Sequence, residues 1–194
     1  MKFQPGHTPN HKGRTTTTDP IKNIEDVAKI KELLKDNVRD LALFTLAVNS
    51  AFRVGDLCNI LWEDVIDDGS IMTLRVLEGK TKRPRNVPLN PAASRILRSW
   101  RGKCENEYIF SGQRGRMTTA TFGRLVKMWC KEIGLKGSFC AHTTRKAWIR
   151  LQVDHFKTSL PVIMTAVGHK SESQTLHYCG KLGDEVLKAY SNSI

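Results

Sequence analysis

The sequence predicts a mainly α domain that carries one small antiparallel sheet. Apolar residues recur at helical spacing through most of the chain, two short β-rich runs stand back to back near its middle, and turn-forming residues separate those two runs. The segment Ile24–Leu34 sets Ile24, Val27, Ile30, Leu33 and Leu34 at helical spacing, with Asn23 and Asp26 as cap and first-turn acid, which predicts an amphipathic helix. A second helix, from about Asp40 to Ser50, is apolar nearly all round and therefore belongs at the centre. A third follows over about Val54–Leu61, after a break at Ala51-Phe52-Arg53. The period then changes: IMTLRVL (71–77) and RNVPL (85–89) flank EGKTKRP, where Gly79 and Pro84 turn the chain, giving a hairpin with a cationic tip. Helices resume over about Pro91–Trp100, Thr118–Lys131, Thr143–Val153 and Leu160–Val167, and a last one is expected from about Asp184 to Tyr190. Residues 1–19 are polar and have little to bury, so they read as a flexible basic tail, and no repeat or internal linker divides residues 20–194.

A length of 194 residues suits one domain, and no run approaches the roughly 20 apolar residues of a membrane-spanning helix. The first twenty residues lack the apolar core of a secretory signal, so a cytoplasmic protein with reduced thiols is expected. Five cysteines (58, 104, 130, 140, 179) form no CxxC pair, which fits neither a disulfide framework nor a zinc site, and they are read as small core hydrophobes. His177-Tyr178-Cys179 near His169 is the one metal-like cluster, but adjacent helical residues point in different directions. No metal site is expected.

The chain carries 31 Lys and Arg against 19 Asp and Glu, a formal net charge of +12, which points toward a polyanionic partner. Lys80, Lys82, Arg83 and Arg85 crowd one short loop, while Arg114, Arg116, Arg124, Lys127, Arg145, Lys146 and Arg150 recur through later segments. That distribution suits a surface following a phosphate backbone, and neutralising some five phosphates would give a log–log salt slope of about −4 to −5.

Each chemistry-bearing residue has a structural reading beside the functional one. Arg53, between two apolar helices, needs an anion; an ion pair with Asp56 or Asp64 would satisfy it, and so would a bound phosphate. Lys80 at the hairpin tip could simply be solvated. His142-Thr143-Thr144-Arg145 opens a helix, so an imidazole and a guanidinium three residues apart could converge on one anion. Tyr178 follows His169 by nine residues, and a phenol with one hydrogen bond is its ordinary role.

Taken in order, Arg53, Lys80, His142-x-x-Arg145, Gly168-His169 and Tyr178 resemble the catalytic domain of the tyrosine site-specific recombinases, the phage integrase family, from about residue 20 to the C-terminus. HTTRK departs from the family's commoner HxLRH at Thr144, which bears on packing more than on chemistry. The separate N-terminal DNA-gripping domain of many members is expected to be absent from these 194 residues, as in either an excised catalytic fragment or a naturally short member.

The resemblance implies the tyrosine recombinase catalytic-domain fold and a DNA breaking and rejoining enzyme, working on DNA in a bacterial or phage-infected cell. Tyr178 would attack the scissile phosphate, form a 3′-phosphotyrosyl link and release a 5′-hydroxyl, without metal, ATP or other cofactor. Arg53 and Arg145 would offer planar forks to the non-bridging oxygens, His142 would assist as base, Lys80 would protonate the leaving oxygen with Lys82 as second candidate, and His169 would bind a phosphoryl oxygen or position its neighbours. Lys82, Arg83, Arg85, Arg114, Arg116, Arg124 and Lys146 are the expected DNA contacts. Implied partners are double-stranded recombination sites, three further copies in a tetramer with Leu182–Tyr190 packing in trans, and accessory DNA-bending proteins. The competing readings are a catalytically idle DNA-binding protein and a type IB topoisomerase.

Overall fold

The computed structural model describes residues 18–112 and 115–181. The expected tail up to residue 17, Arg114, and the expected helix Asp184–Tyr190 with its trans-packing face lie outside the described residues.

Helix α1 (Ile24–Leu33) buries Val27 and Ile30, and Leu33, expected on the same face, is 46% exposed. Asn23 sits at the cap position, yet its amide turns to the Asp26 carboxylate at 3.4 Å instead of capping backbone. Helix α2 (Val38–Ser50) starts where Asn37 accepts from the Asp40 backbone N–H at 3.1 Å. Its residues from Ala42 to Val48 are all buried, as expected of a helix that is apolar nearly all round. It ends at Ala51, whose φ of 53° is left-handed, a conformation that costs a residue with a Cβ roughly 1–2 kcal/mol.

The third helix is shorter than expected. Helix α3 (Val54–Leu57) stops early because the chain beyond it pairs sideways: Ile109 N–H donates to Ile60 O at 3.0 Å, and Trp62 N–H to Glu107 O at 2.9 Å. Backbone groups joined to a neighbouring segment cannot also continue a helix. A 3₁₀ turn (Trp62–Asp64) follows, with Asp64 accepting from Leu61 N–H.

Strands β1 (Val65–Asp67), β2 (Met72–Leu77) and β3 (Pro84–Pro88) form an antiparallel sheet in that order, with Leu74 opposite both Val65 and Val87. The expected hairpin is therefore present and gains one strand. Helix α4 (Pro91–Arg101) begins with proline in its first turn and an Asn90 cap. The two-residue strands β4 (Ser111–Gly112) and β5 (Gly115–Arg116) precede α5 (Thr119–Glu132), whose Trp129 meets Phe44 and Phe122 edge-on at 5.7 and 6.3 Å. Helices α6 (Thr143–Asp154), α7 (Leu160–Val167) and α8 (Glu172–Tyr178) complete the described fold.

Two apolar clusters result. The larger gathers α1, α2, the sheet, α4 and α5; the smaller joins Ala51, Ile149, Ile163, Val167 and Cys179, with Tyr178 packed at its edge. Of the cysteines expected in the core, Cys58, Cys130 and Cys179 are buried, whereas Cys104 and Cys140 are partly exposed because both lie in loops between helices. No helix among the described residues is long and apolar enough to cross a membrane.

Candidate active site

Arg145 lies on the first turn of α6 and is 2% exposed. Its Nη1 donates to Ala51 O, the carbonyl that the left-handed residue turns inward, and its Nη2 to Val167 O at 2.7 Å. Both carbonyls close helices, α2 and α7, so the cation meets two negative dipole ends. A guanidinium has five N–H donors, and those left over remain for an anion.

Tyr178 ends α8 half-buried, with its ring centroid 5.9 Å from Arg145 Cζ and 5.5 Å from Lys146 Nζ. His169 meets the same ring edge-on at 5.3 Å. The phenol oxygen lies 3.4 Å from His142 Nδ1. Burial pushes the phenol above its ordinary value, against the pull of Arg145 and Arg53, so the hydroxyl rests protonated. His142 occupies the N-cap position of α6 and keeps an open face to solvent. Desolvation by crowding neighbours, then Arg145 and Lys146, hold it below the usual histidine value, leaving a neutral ring able to accept a proton.

Gly168 closes α7 at φ 70°, with His169 N–H and its own N–H both reaching Met164 O. His169 Nδ1 then lies 3.1 Å from Thr175 Oγ1, whose hydroxyl donates to Ser171 O at 3.2 Å. With the hydroxyl proton so engaged, Nδ1 is the donor and Nε2 carries the lone pair. Desolvation, Arg145 and Arg53 depress this histidine to about 4.

Arg53 is paired, though chiefly with a residue the sequence reading overlooked. Its Nη1 is 2.7 Å from Glu78 Oε2 and 4.0 Å from Asp56 Oδ2. Asp64 is engaged in capping Leu61. Glu78, 1% exposed, also accepts from Thr81 Oγ1 at 2.6 Å and from Arg85 Nη1 at 3.4 Å. Burial alone would raise this carboxyl, and Thr81, Arg53 and Arg85 outweigh it to hold it below the ordinary value. The one acid in a cationic loop was the available signal. Asp56 Oδ1 accepts from Gly79 N–H at 2.9 Å, fastening the hairpin base to α3.

The other sequence candidates divide. Lys80 stands exposed on the hairpin and makes no hydrogen bond or ion pair among the described residues. Lys82 is exposed beside it with φ 54°. Arg83 reaches Thr165 O at 3.1 Å. Arg85 turns inward to Glu78, to Ser50 O, and over the Phe52 ring. Arg116 donates to Asn59, and with Arg124 and Arg39 lines a cleft of about 580 Å³ that none of the Tyr178, His142, Arg145 or Arg53 side chains lines. Among the described residues no three His, Cys, Asp or Glu converge as a metal-holding group.

Comparison with known proteins bears on this arrangement. The sequence matches the profile of the phage integrase family over residues 14–183. It is 28% identical over 175 residues to the probable integrase/recombinase YoeC of Bacillus subtilis, covering 88% of this chain and 94% of that one. It is 26% identical over 167 residues to a tyrosine recombinase of Pseudothermotoga lettingae, covering 84% of this chain and 57% of that one. Against tyrosine recombinase XerA of Pyrococcus furiosus it is 26% identical over 161 residues, 79% of this chain and 54% of that one. The chain thus spans just over half the length of the latter two. Among solved structures, the XerA recombinase superposes with a TM-score of 0.70 at 22% identity, covering 98% of this chain and 68% of that one. A lambda integrase dimer bound to a COC′ core site gives 0.68 at 24%, covering 89% and 63%. The shared fold is mainly α with a small antiparallel sheet.

Proposed function

Because the chain belongs to the phage integrase family, we propose that it cuts and rejoins DNA strands at specific sites through a covalent bond to Tyr178. One observation carries this reading: the Tyr178 hydroxyl, the His142 imidazole and the Arg145 guanidinium stand together, and Arg53 acts on the same phenol electrostatically. A phosphodiester brought there would meet a nucleophile, a base and two cationic forks.

In the proposed reaction His142 Nδ1 takes the phenolic proton as the oxygen attacks phosphorus. The tyrosyl ester forms at the 3′-phosphate while the 5′-oxygen leaves with a proton from Lys80, which the exposed hairpin leaves free to follow it. The donors of Arg53 not turned to Glu78 and the remaining donors of Arg145 neutralise the non-bridging oxygens. His169 holds a lone pair on Nε2 in the DNA-free protein and becomes a donor only when phosphate charge draws a proton onto it. Rejoining reverses the steps, so no external energy source is consumed. Residues 20 onward form the catalytic unit, acting on two duplexes as a tetramer, with Lys82, Arg83, Arg116 and Arg124 as backbone contacts.

The test is incubation of the full chain with nicked suicide duplexes drawn from DNA flanking its gene, followed by denaturing electrophoresis. An adduct that disappears in Tyr178→Phe, with duplex binding kept within a few fold, is the expected result. Binding without any adduct would instead mark an idle DNA-binding protein, and an adduct persisting in Tyr178→Phe would remove the nucleophile assignment.

A further inference from the structure

Lys146 follows Arg145 on α6, and the two side chains leave the helix about 100° apart, so that both reach the Tyr178 ring. Its ammonium is not loose in solvent. Lys146 is half-buried and donates to Thr18 O at 2.6 Å. That carbonyl belongs to a fixed strap. Asp19 N–H donates to Ser138 O and Ser138 N–H returns to Asp19 Oδ2, both at 2.8 Å; Thr143 Oγ1 donates to Asp19 O at 3.0 Å; and Thr18 Oγ1 lies 3.3 Å from Cys140 Sγ. The strap thus ties down the loop that leads into His142 and gives one lysine an immovable acceptor beside the phenol.

We propose that Lys146 is a positioning residue for the Tyr178–His142 pair, acting from its seat on the Thr18 carbonyl, and not a contact to DNA phosphate. The proposal rests on the reading of Tyr178 as nucleophile and His142 as its base. A fixed cation against the ring face holds the phenol toward His142 by attraction to the ring's negative face. The same charge makes protonation of His142 costly, which keeps the base in its accepting form. The groups facing His142 are Arg145 and Lys146 from α6, Tyr178 from α8, and Cys140 from the preceding loop, whose sulfur accepts from His142 N–H at 3.4 Å. Arg145 is already engaged by two carbonyls, so Lys146 is the cation whose removal leaves those helix ends satisfied.

The experiment is a proton-NMR titration of the His142 ring in the full chain without DNA, assigned with His142→Asn, for wild type, Lys146→Gln and Lys146→Arg. The expected result is a His142 midpoint that moves to higher pH in Lys146→Gln and returns toward the wild-type position in Lys146→Arg. Lys146→Met, which keeps the aliphatic stem, gives the same reading if the Gln variant fails to fold. An unmoved midpoint in both uncharged variants overturns the proposal. So does a log–log salt slope of duplex binding that shrinks by about 0.9 in Lys146→Gln, the signature of one lost phosphate contact. Since the titration needs no DNA, absence of a covalent adduct in wild type would sink the nucleophile reading and leave this measurement interpretable.

Discussion

Glu78 Oε2 lies 2.7 Å from Arg53 Nη1, with only 2% of the Glu78 side chain open to solvent. The pair joins the hairpin to the α2–α3 junction and sets the direction of a guanidinium proposed to grip phosphate. Glu78→Gln removes the charge that balances Arg53 and Arg85 and leaves two cations facing each other. Breaking a buried pair from one side costs on the order of 3 kcal/mol. Urea unfolding should register that loss, and a change under about 1 kcal/mol would mean that the two arginines find other partners.

Arg145→Lys replaces a planar fork by a point charge that cannot reach the Ala51 and Val167 carbonyls together. Loss of these charge-assisted bonds should lower stability by about 2–3 kcal/mol. Measured at a temperature where the variant stays folded, adduct formation should fall by about 10²–10³ as one transition-state donor goes missing. Near-normal adduct formation would show that Arg145 serves the fold alone.

His169 gives stability a pH dependence of definite sign. Its folded value is about 4 against an ordinary 6.5, so the unfolded chain binds the extra proton first. The contribution is present above about 6.5 and is lost as pH falls through the folded value near 4. His142, also depressed, acts in the same direction. Melting temperatures recorded across that window should fall more gently in His169→Asn than in wild type; parallel curves would dissociate the ring from this effect.

Gly137 has φ 146°, and a Cβ there would stand 2.8 Å from Asp19 Oδ2. Gly137→Ala should therefore loosen the strap on Thr18–Asp19 and cost about 1–3 kcal/mol in backbone strain alone. Thermal denaturation gives the magnitude, and faster amide exchange at Ser138 would locate the damage. Unchanged exchange at Ser138 would mean the strap holds without this glycine.

Much of the fold was legible in the sequence, because long amphipathic helices are local properties. Helices α4 to α7 lie within a residue or so of where periodicity and capping residues put them. Strand β1 escaped because three residues carry too little alternation to register. Helix α8 escaped because ESQTLHY buries only Thr175, so no apolar stripe marks it. That Arg53, His142, Arg145, His169 and Tyr178 stand near one another was an expectation the family resemblance implied, and no local pattern in the sequence carries it. Glu78 was not legible, since its burial depends on Arg53 arriving from another segment as well as on Arg85 of its own hairpin. Nor was the short reach of α3, which ends because Glu107 and Ile109 pair with the backbone of Trp62 and Ile60 just beyond it.

The smaller apolar cluster has its own consequence for motion. Tyr178 packs against five buried residues, Ala51, Ile149, Ile163, Val167 and Cys179, and not against the Phe44–Trp129 stack. Detaching α8, the last described helix, thus breaks a minor cooperative unit and leaves the principal one intact. Native-state deuterium uptake should report α8 opening at a fraction of the global unfolding free energy, so that the Tyr178 hydroxyl can shift while the larger apolar cluster stays folded.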